Sequence, residues 1–282
     1  MILSMEHFPF RLKFGEEQAF KLFKDAGFDG VDYSFNDMGN GVSIDLENHM
    51  EKAKETKRLL EKYGLVCKQA HAPFEFKYGD EMNERNKNFF NIVRAFEYAA
   101  YIGAKGIVVH AIKVPNGVDF LQYNYNYYKA LEPYAKNAGV KIAVENLLNS
   151  KFWFPSKLSG FIKTLASDVF CACVDVGHSA IVGVEPENFV SGMDKDLIFC
   201  IHMHDTDGQV DRHWIPYQGS HNWDNIIRAL ANYGFNGDMN LEVIHSFDNL
   251  PVELYPDMIN YTAKVGKYLI KKFNQYKGEI KQ

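Results

Sequence analysis

Residues 202–213 read HMHDTDGQVDRH, which places three histidines and three aspartates in twelve positions. Imidazoles and carboxylates at this density are the ligands of metal ions and the carriers of protons. The same residue types recur far away in the chain, each time near the end of an apolar run: His71 in QAHAPF, His110 in VVHA, Glu145 in VEN, Asp175 in DVGH and Glu242 in LEV. If Glu145, Asp175, His204 and Glu242 meet, their three carboxylates repel one another unless protonated or bridged by a cation. Three oxygens and one nitrogen form a set of mixed hardness, suited to Mn²⁺, Zn²⁺, Co²⁺ or Mg²⁺ without selecting one, and open coordination positions remain for substrate or water. One buried polar group at a strand end is usually structural; four together point to a divalent metal. His202 is expected to support the ligands or pack beneath them, and Asp205 and Asp207, beside Gly208, are expected to be turn residues.

What could bring such distant residues together is visible in the periodicity. Eight β-rich runs occupy residues 2–5, 30–35, 65–72, 106–111, 140–146, 170–177, 198–205 and 238–244, with amphipathic helical stretches clearest at 16–28, 47–64, 84–103 and 222–234. Gly27, Gly64, Gly103, Gly139 and Gly234 stand where left-handed helix C-caps belong. Eight βα units without a linker predict an α/β fold, a (β/α)8 TIM barrel, as a single domain over 1–282. A doubly wound open sheet is the competing arrangement, but no βα turn carries GxGxxG or a P-loop. In a barrel the carboxyl ends of all strands converge on one mouth. Strand parity then puts Glu145 on the face of Ala143, Asp175 with Cys171 and Cys173, His204 with Cys200 and His202, Glu242 with Asn240, and His71 with Gln69. That inward face is small or polar, and the opposite one is aliphatic.

Bulk properties narrow the partners. The chain has 282 residues, 46% hydrophobic and 24% charged, with a net charge of −5, so it has enough apolar residues for a large core and no general basic field for nucleic acid. Neither a secretory signal nor a membrane-length apolar stretch is read. Cys67, Cys171, Cys173 and Cys200 lie in apolar runs without CxxC spacing, which predicts reduced core thiols and a cytoplasmic protein. Aromatic residues make up 15%, and Phe8, Phe10, Phe35, Phe74, Trp153, Phe154, Trp214 and Tyr217 follow strands or sit in mouth loops, where they could shape a pocket for a sugar or polyol.

Taken in order, QAHAPF, VVHA, VEN, DVGH, HMHDTDGQVDRH and LEV resemble the xylose isomerase-like TIM barrel superfamily across essentially the whole chain. That superfamily includes sugar phosphate isomerases/epimerases, inosose-processing enzymes, ketose 3-epimerases and the endonuclease IV branch of DNA repair. The resemblance implies that Glu145, Asp175, His204 and Glu242 hold the metal and that Glu145 and Glu242 are also the catalytic acid/base pair. It implies that His178 and Arg212 contact substrate oxygens, and His71, His110 and Trp214 are further candidates for substrate binding. The chemistry would be proton transfer through a metal-stabilised cis-enediolate, inverting a carbon or moving a carbonyl. The competing resemblance is to endonuclease IV, a trinuclear zinc enzyme acting on abasic DNA. It would recruit His71, His110, His178, Asp211 and His213 as additional metal ligands. Against it, YQG at 217–219 departs from that branch, HAPFEFKYG lacks its DNA-invading loop pattern, and HWIPYQGSHNW resembles the loop of sugar isomerases. A barrel that binds sugar without turning it over is a third reading. A small sugar, polyol or sugar phosphate is the expected partner, with a homo-oligomer implied by resemblance alone; neither nucleic acid nor membrane is expected.

Overall fold

Eight parallel strands form one sheet in the computed structural model, which describes residues 1–36 and 46–280. The elements run β1 (Leu3–Glu6), α1 (Phe8–Phe14), α2 (Glu16–Ala26), β2 (Gly30–Ser34), α3 (His49–Tyr63), β3 (Val66–His71), α4 (Lys87–Ile102) and β4 (Gly106–Val109). They continue with α5 (Phe120–Ala138), β5 (Lys141–Glu145), α6 (Pro155–Thr164), β6 (Phe170–Asp175), α7 (Val176–Ile181), α8 (Pro186–Gly192), β7 (Ile198–His202), α9 (Trp223–Tyr233), β8 (Met239–Leu241) and α10 (Tyr255–Ile280). From β1 to β7 each strand pairs with the next in sequence, and β1 pairs with β8. Met203, one residue past β7, bridges to Leu241 and closes the barrel. All eight strands fall within the runs read from periodicity, or within one residue of them.

The five glycines read as C-caps end α2, α3, α4, α5 and α9, with φ of 85°, 60°, 113°, 75° and 82°. A side chain would be strained at each, so these positions hold the abrupt turn from helix into strand. At the other end, Asn86, Asp119 and Asn222 cap α4, α5 and α9 by accepting backbone N–H bonds. The short α1 in FPFRLKF, which no helical periodicity announced, follows β1 directly and buries Phe8 and Phe10.

Two apolar clusters separate as strand parity requires. Ile142, Val144, Ala172, Val174 and Ile201 join the large cluster between sheet and helices, whereas Val108, Ala143, Cys171, Cys173 and Cys200 form a small one inside the barrel. The four cysteines are free and buried, and burial pushes the Cys67, Cys171 and Cys173 thiols well above their ordinary value. No helix among the described residues is long and apolar enough to cross a membrane.

The loop after β7 is built on Asp205, which is fully buried and does more than end a turn. Its carboxylate accepts from the N–H groups of Thr206 (2.9 Å), Tyr217 (2.8 Å) and His221 (3.2 Å) and from Trp223 Nε1 (2.8 Å). A Cβ on Gly219 would lie 2.3 Å from Asp205 Oδ1, so glycine is required there. Asp205→Ala is expected to lower unfolding free energy by about 3 kcal/mol, because four donors lose their acceptor. Trp223→Phe, which removes one donor, is expected to cost about 1 kcal/mol. Urea denaturation of both variants checks the order.

His7, between β1 and α1, is fully buried, lies with its ring 4.4 Å from that of Tyr33, and has Nδ1 3.2 Å from the Asp32 carbonyl. Burial pushes its pKa from 6.5 down to about 3. The folded chain therefore keeps His7 neutral while the unfolded chain takes up a proton below pH 6.5. The stabilisation is complete above that value and is lost as pH falls toward 3, by up to about 1.4 kcal/mol per pH unit. His7→Phe is expected to flatten the dependence of stability on pH between about 4 and 6 by one proton. Parallel slopes for the two proteins in urea titrations would rule this out.

Candidate active site

Every strand delivers an ionisable side chain to the same end of the barrel. Glu6 closes β1, Asp32 lies in β2, His71 ends β3, His110 follows β4, Glu145 and Asp175 end β5 and β6, His202 and His204 stand at and just past β7, and Glu242 follows β8. All but His110 are buried.

The four residues chosen from sequence as metal ligands are brought together. His204 Nε2 lies 3.0 Å from Asp175 Oδ1. His202 Nδ1 is 3.6 Å from Glu145 Oε1, 3.3 Å from Glu242 Oε2 and 3.9 Å from Asp175 Oδ2, so the three carboxylates surround one imidazole nitrogen. Glu145 Oε2 is 2.9 Å from His110 Nε2, and Glu145 Oε1 is 3.2 Å from His178 Nδ1. Toward the mouth, Asp211 bridges His178 Nε2 and His213 Nε2, at 3.2 Å from each, and His213 Nδ1 lies 2.8 Å from the Glu242 carbonyl. On the other side Asp32 Oδ1 meets His71 Nδ1 at 3.1 Å, leaving His71 Nε2 3.5 Å from Glu242 Oε1.

Local sequence explains these placements. Asn146 donates to the Asp175 carbonyl (2.9 Å) and accepts from its N–H (2.7 Å), tying VEN to DVGH across two strands. Asp175 also accepts from the His178 N–H (2.7 Å), so the same carboxylate starts α7 and fixes where His178 points. A Cβ at Gly177 would lie 2.0 Å from the His204 ring, so DVGH needs its glycine for His204 to enter. Beneath the cluster, Asp32 Oδ2 accepts from Gln69 (2.7 Å) and Asn240 (2.8 Å), the inward partners that parity assigned to His71 and Glu242.

The electrostatics of this set favour a cation. Burial pushes Glu242 well above the carboxylate range, helped by Glu6, Asp175 and Glu145. Burial works the same way on Glu145, yet His110 and His202 override it and hold Glu145 well below that range. Burial opposes charge on His71, but Asp32 lifts it to about 10. His202 makes no hydrogen bond through either ring nitrogen among the described residues. Glu242 Oε2, His71 Nε2 and His204 Nδ1 are likewise buried without one, and Glu145 Oε2, His178 Nδ1 and Asp211 Oδ1 lie 2.9–3.2 Å from His110, Glu145 and His213 but make no well-aligned hydrogen bond. Each such atom costs about 1–3 kcal/mol if nothing else pairs with it. Ligand atoms of Glu145, Asp175 and His178, of His204, His213 and Glu242, and of His178, Asp211 and His213 each lie within 4.8 Å of one another. Oxygen and imidazole donors in this arrangement fit a divalent metal.

The site opens into a cavity of about 840 Å³ lined by Glu6, His71, His110, Glu145, His178, Asp211, His213 and Glu242, with Phe74 and Ile112 among its apolar walls. Arg212 and Trp214 are not in that lining. Arg212 Nε instead binds Asp207 at 2.9 Å, with its guanidinium 5.4 Å from the Trp214 ring, and Trp214 pairs with Asp205 through the backbone. Asp207 accepts from the N–H groups of Gln209 and Val210, both at 2.9 Å, and is the turn residue expected. Of the aromatic residues read as pocket walls, only Phe74 lines the cavity, lying parallel to His110 at 4.1 Å. Phe8, Phe10 and Phe35 are core residues, while Trp153, Phe154 and Tyr217 are exposed outside it. Glu6 and Asp32 were missed, although Glu6 in SMEH carries the same signal of an ionisable residue at the end of a short apolar run, whereas Asp32 sits in the middle of β2.

Comparison with known proteins agrees with this geometry. The family model described as xylose isomerase-like TIM barrel matches residues 20–264. An uncharacterised protein of Methanocaldococcus jannaschii is 29% identical over 184 residues, 61% of this chain and 62% of its own length, so the match spans less than two thirds of that relative. The solved structure of a D-tagatose 3-epimerase-like protein superposes with a TM-score of 0.76 at 21% identity, covering 100% of both chains. That of an L-ribulose 3-epimerase gives 0.73 at 15% identity, covering 99% of this chain and 97% of that one. These two likenesses show a shared fold. With the model matching most of the chain, the protein belongs to the xylose isomerase-like TIM barrel family.

Proposed function

We propose that the protein is a divalent-metal-dependent isomerase or epimerase of a small sugar or sugar phosphate. The observation that carries this reading is that Glu145 and Glu242 come within 3.6 and 3.3 Å of one imidazole nitrogen, at the floor of a cavity large enough for a sugar. The two structural neighbours, a 3-epimerase-like protein and a 3-epimerase of sugars, support the substrate class.

Glu145, Asp175, His204 and Glu242 would hold the metal. When bound, it supplies positive charge that stabilises the negative charge developing on a substrate beside a departing proton. The rest is carried by side chains. One of Glu145 and Glu242 removes the proton from carbon and the other returns one, on the opposite face for epimerisation or at the neighbouring carbon for isomerisation. His178 lines the cavity with Nε2 on Asp211 and Nδ1 3.2 Å from Glu145 Oε1, and it donates to a substrate oxygen only if one of those pairings gives way. His110, beside Glu145 Oε2, positions that carboxylate, and Phe74 shields its outer face from water. Arg212 binds substrate only if its bond to Asp207 breaks.

A second reading is favoured by one observation: His178, Asp211 and His213 make a separate triad beside the first site. Together with His71 and His110 they would complete a multinuclear centre of the endonuclease IV kind, hydrolysing phosphodiesters in abasic DNA. Elemental analysis separates the two. The proposed function expects one divalent ion per chain and no cleavage of an abasic duplex by the metal-loaded protein; three ions with cleavage at catalytic rates would replace it.

Metal is expected to stabilise the fold, because binding relieves the carboxylate repulsion. At a free concentration of about 100 times Kd the gain is about 2.7 kcal/mol, and EDTA should reverse the rise in Tm. Glu145→Gln and Glu242→Gln are each expected to lower exchange of substrate C–H with solvent deuterium by at least about a thousandfold, following the usual weight of a positioned base. Exchange at the wild-type rate in either variant rejects the glutamate pair.

A further inference from the structure

Glu6 differs from the other acids of the cavity. Met5 belongs to the large apolar cluster between sheet and helices, so Ser4 and Glu6 face into the barrel, where Ser4 donates to Asn240 at 2.9 Å. Glu6 is in register with Asp32 and only 5% exposed, yet it lines the cavity. Each other acid in that lining meets an imidazole nitrogen: Glu145 at 2.9 Å, Asp211 at 3.2 Å and Glu242 at 3.3 Å. Glu6 makes no hydrogen bond or ion pair among the described residues, and its Oε2 is buried with no partner. The groups beside it are already committed. Asp32 accepts from Gln69 and Asn240 and meets His71, while His7, next in the chain, stacks on Tyr33. A cation on Glu145, Asp175, His204 and Glu242 does not change this, because Glu6 belongs to none of the groups of described residues whose ligand atoms lie within 4.8 Å of one another.

Resting on the carbohydrate reading above, we infer that Glu6 is a specificity-determining residue whose carboxyl binds a sugar hydroxyl that the metal does not hold. A carboxyl buried without a partner is costly, and such a group persists where something else completes its hydrogen bonds. Because Glu6 lines the cavity, that partner is a molecule bound there. A carboxyl pairs with a hydroxyl in either protonation state, accepting when ionised and also donating when protonated. Position in the barrel says which end of the sugar it meets. β1 pairs with β8 and stands four strands from β5, so Glu6 lies on the side of Glu242 and across from Glu145. A sugar held between the two glutamates therefore turns its Glu242 end toward Glu6. The wall that Phe74, Ile112, Val114 and Leu147 supply is apolar and offers a hydroxyl no partner. A site built this way rejects an analogue lacking the hydroxyl, since the carboxyl is then left unpaired.

The test uses the full chain loaded with Mn²⁺. D-ribulose, D-fructose and D-tagatose are compared by calorimetry, and the tightest binder is then set against its monodeoxy analogues, each lacking one hydroxyl. Dissociation constants are measured for wild type, Glu6→Met, Glu6→Gln and Glu6→Ala, the last standing in should Glu6→Met fail to fold. In the wild type, loss of the hydroxyl that meets Glu6 is expected to weaken binding at least about tenfold. In Glu6→Met and Glu6→Ala the same deletion should cost nothing further, so the two losses do not add, while deletions at the other positions keep their wild-type cost. Glu6→Gln, which keeps an oxygen acceptor, should restore part of the discrimination. Deoxy penalties identical in wild type and in the apolar variants overturn the inference and leave the carbohydrate reading intact. A tenfold loss of Mn²⁺ affinity in the apolar variants also overturns it, because Glu6 then serves the metal. If no parent sugar binds, the carbohydrate reading fails and the role of Glu6 falls with it.

Discussion

Repulsion among buried carboxylates is the constraint around which this barrel is organised. Glu6, Asp32, Glu145, Asp175 and Glu242 come from five different strands and are all buried at one end. Desolvation alone would keep such groups neutral. The protein answers by interleaving His71, His110, His178, His202, His204 and His213, so that Glu145 and Asp175 are held below the carboxylate range while Glu242 is left far above it. The compensation is incomplete: acid and imidazole atoms remain buried without a well-aligned hydrogen bond on both sides of the cluster. A fold under selection for stability alone would not retain that arrangement, since apolar replacements of buried ionic groups are often neutral or better. The divalent cation of the proposed function would neutralise that charge more completely than a further histidine could.

The scaffold shows how that charge is tolerated. The barrel interior directly below is apolar and small, with Ala143, Cys171, Cys173 and Cys200, and it supplies no competing ligand because burial keeps the Cys171 and Cys173 thiols protonated. Between this layer and the acids lies a band of neutral hydrogen-bonding groups. Gln69 and Asn240 donate to Asp32, and Ser4 donates to Asn240 at 2.9 Å. Asp32 is thus fixed from below and turns His71 upward, so that its free Nε2 faces Glu242. This is the carboxylate–histidine pairing that orients metal-binding imidazoles generally.

Much of the fold was legible because (β/α)8 architecture writes two independent signals into the chain. Apolar runs gave all eight strands, and glycines at the helix ends gave the turns between them. That Glu145, Asp175, His204 and Glu242 would meet was legible for the same reason: a residue such as Glu145 or Asp175 at the end of a buried strand has only one place to go. Glu6 obeys the same rule but stands alone, without a motif like DVGH around it, and Asp32 escapes the rule because it lies within its strand rather than at its end. The loops were less legible. Whether Phe35 or Trp153 faces the cavity depends on how non-adjacent loops pack, which has no period in sequence, and Phe35 went to the core while Trp153 went to solvent. Asp205 looked like a turn residue because short-range spacing shows its nearest N–H partner but not Tyr217, His221 and Trp223, 12 to 18 residues on.

The segment from Asp207 to His213 shows how one turn determines what kind of chemistry the mouth presents. Asp207 gathers the N–H groups of Gln209 and Val210 and the guanidinium of Arg212, which fixes Arg212 on the outer side. Asp211, immediately before it, is turned inward to bridge His178 and His213, and His213 takes φ 45°, a conformation uncommon for a side-chain-bearing residue, to set Nδ1 against the Glu242 carbonyl. Backbone strain of this kind persists only where surrounding contacts enforce it. It is enforced here by the bond to Glu242 and by the backbone pairing of Trp214 with Asp205. Had the turn opened the other way, a fixed cation, Arg212, would face the substrate; as folded, an acid and an imidazole do. The mouth is consequently richer in acids and imidazoles than in fixed cations.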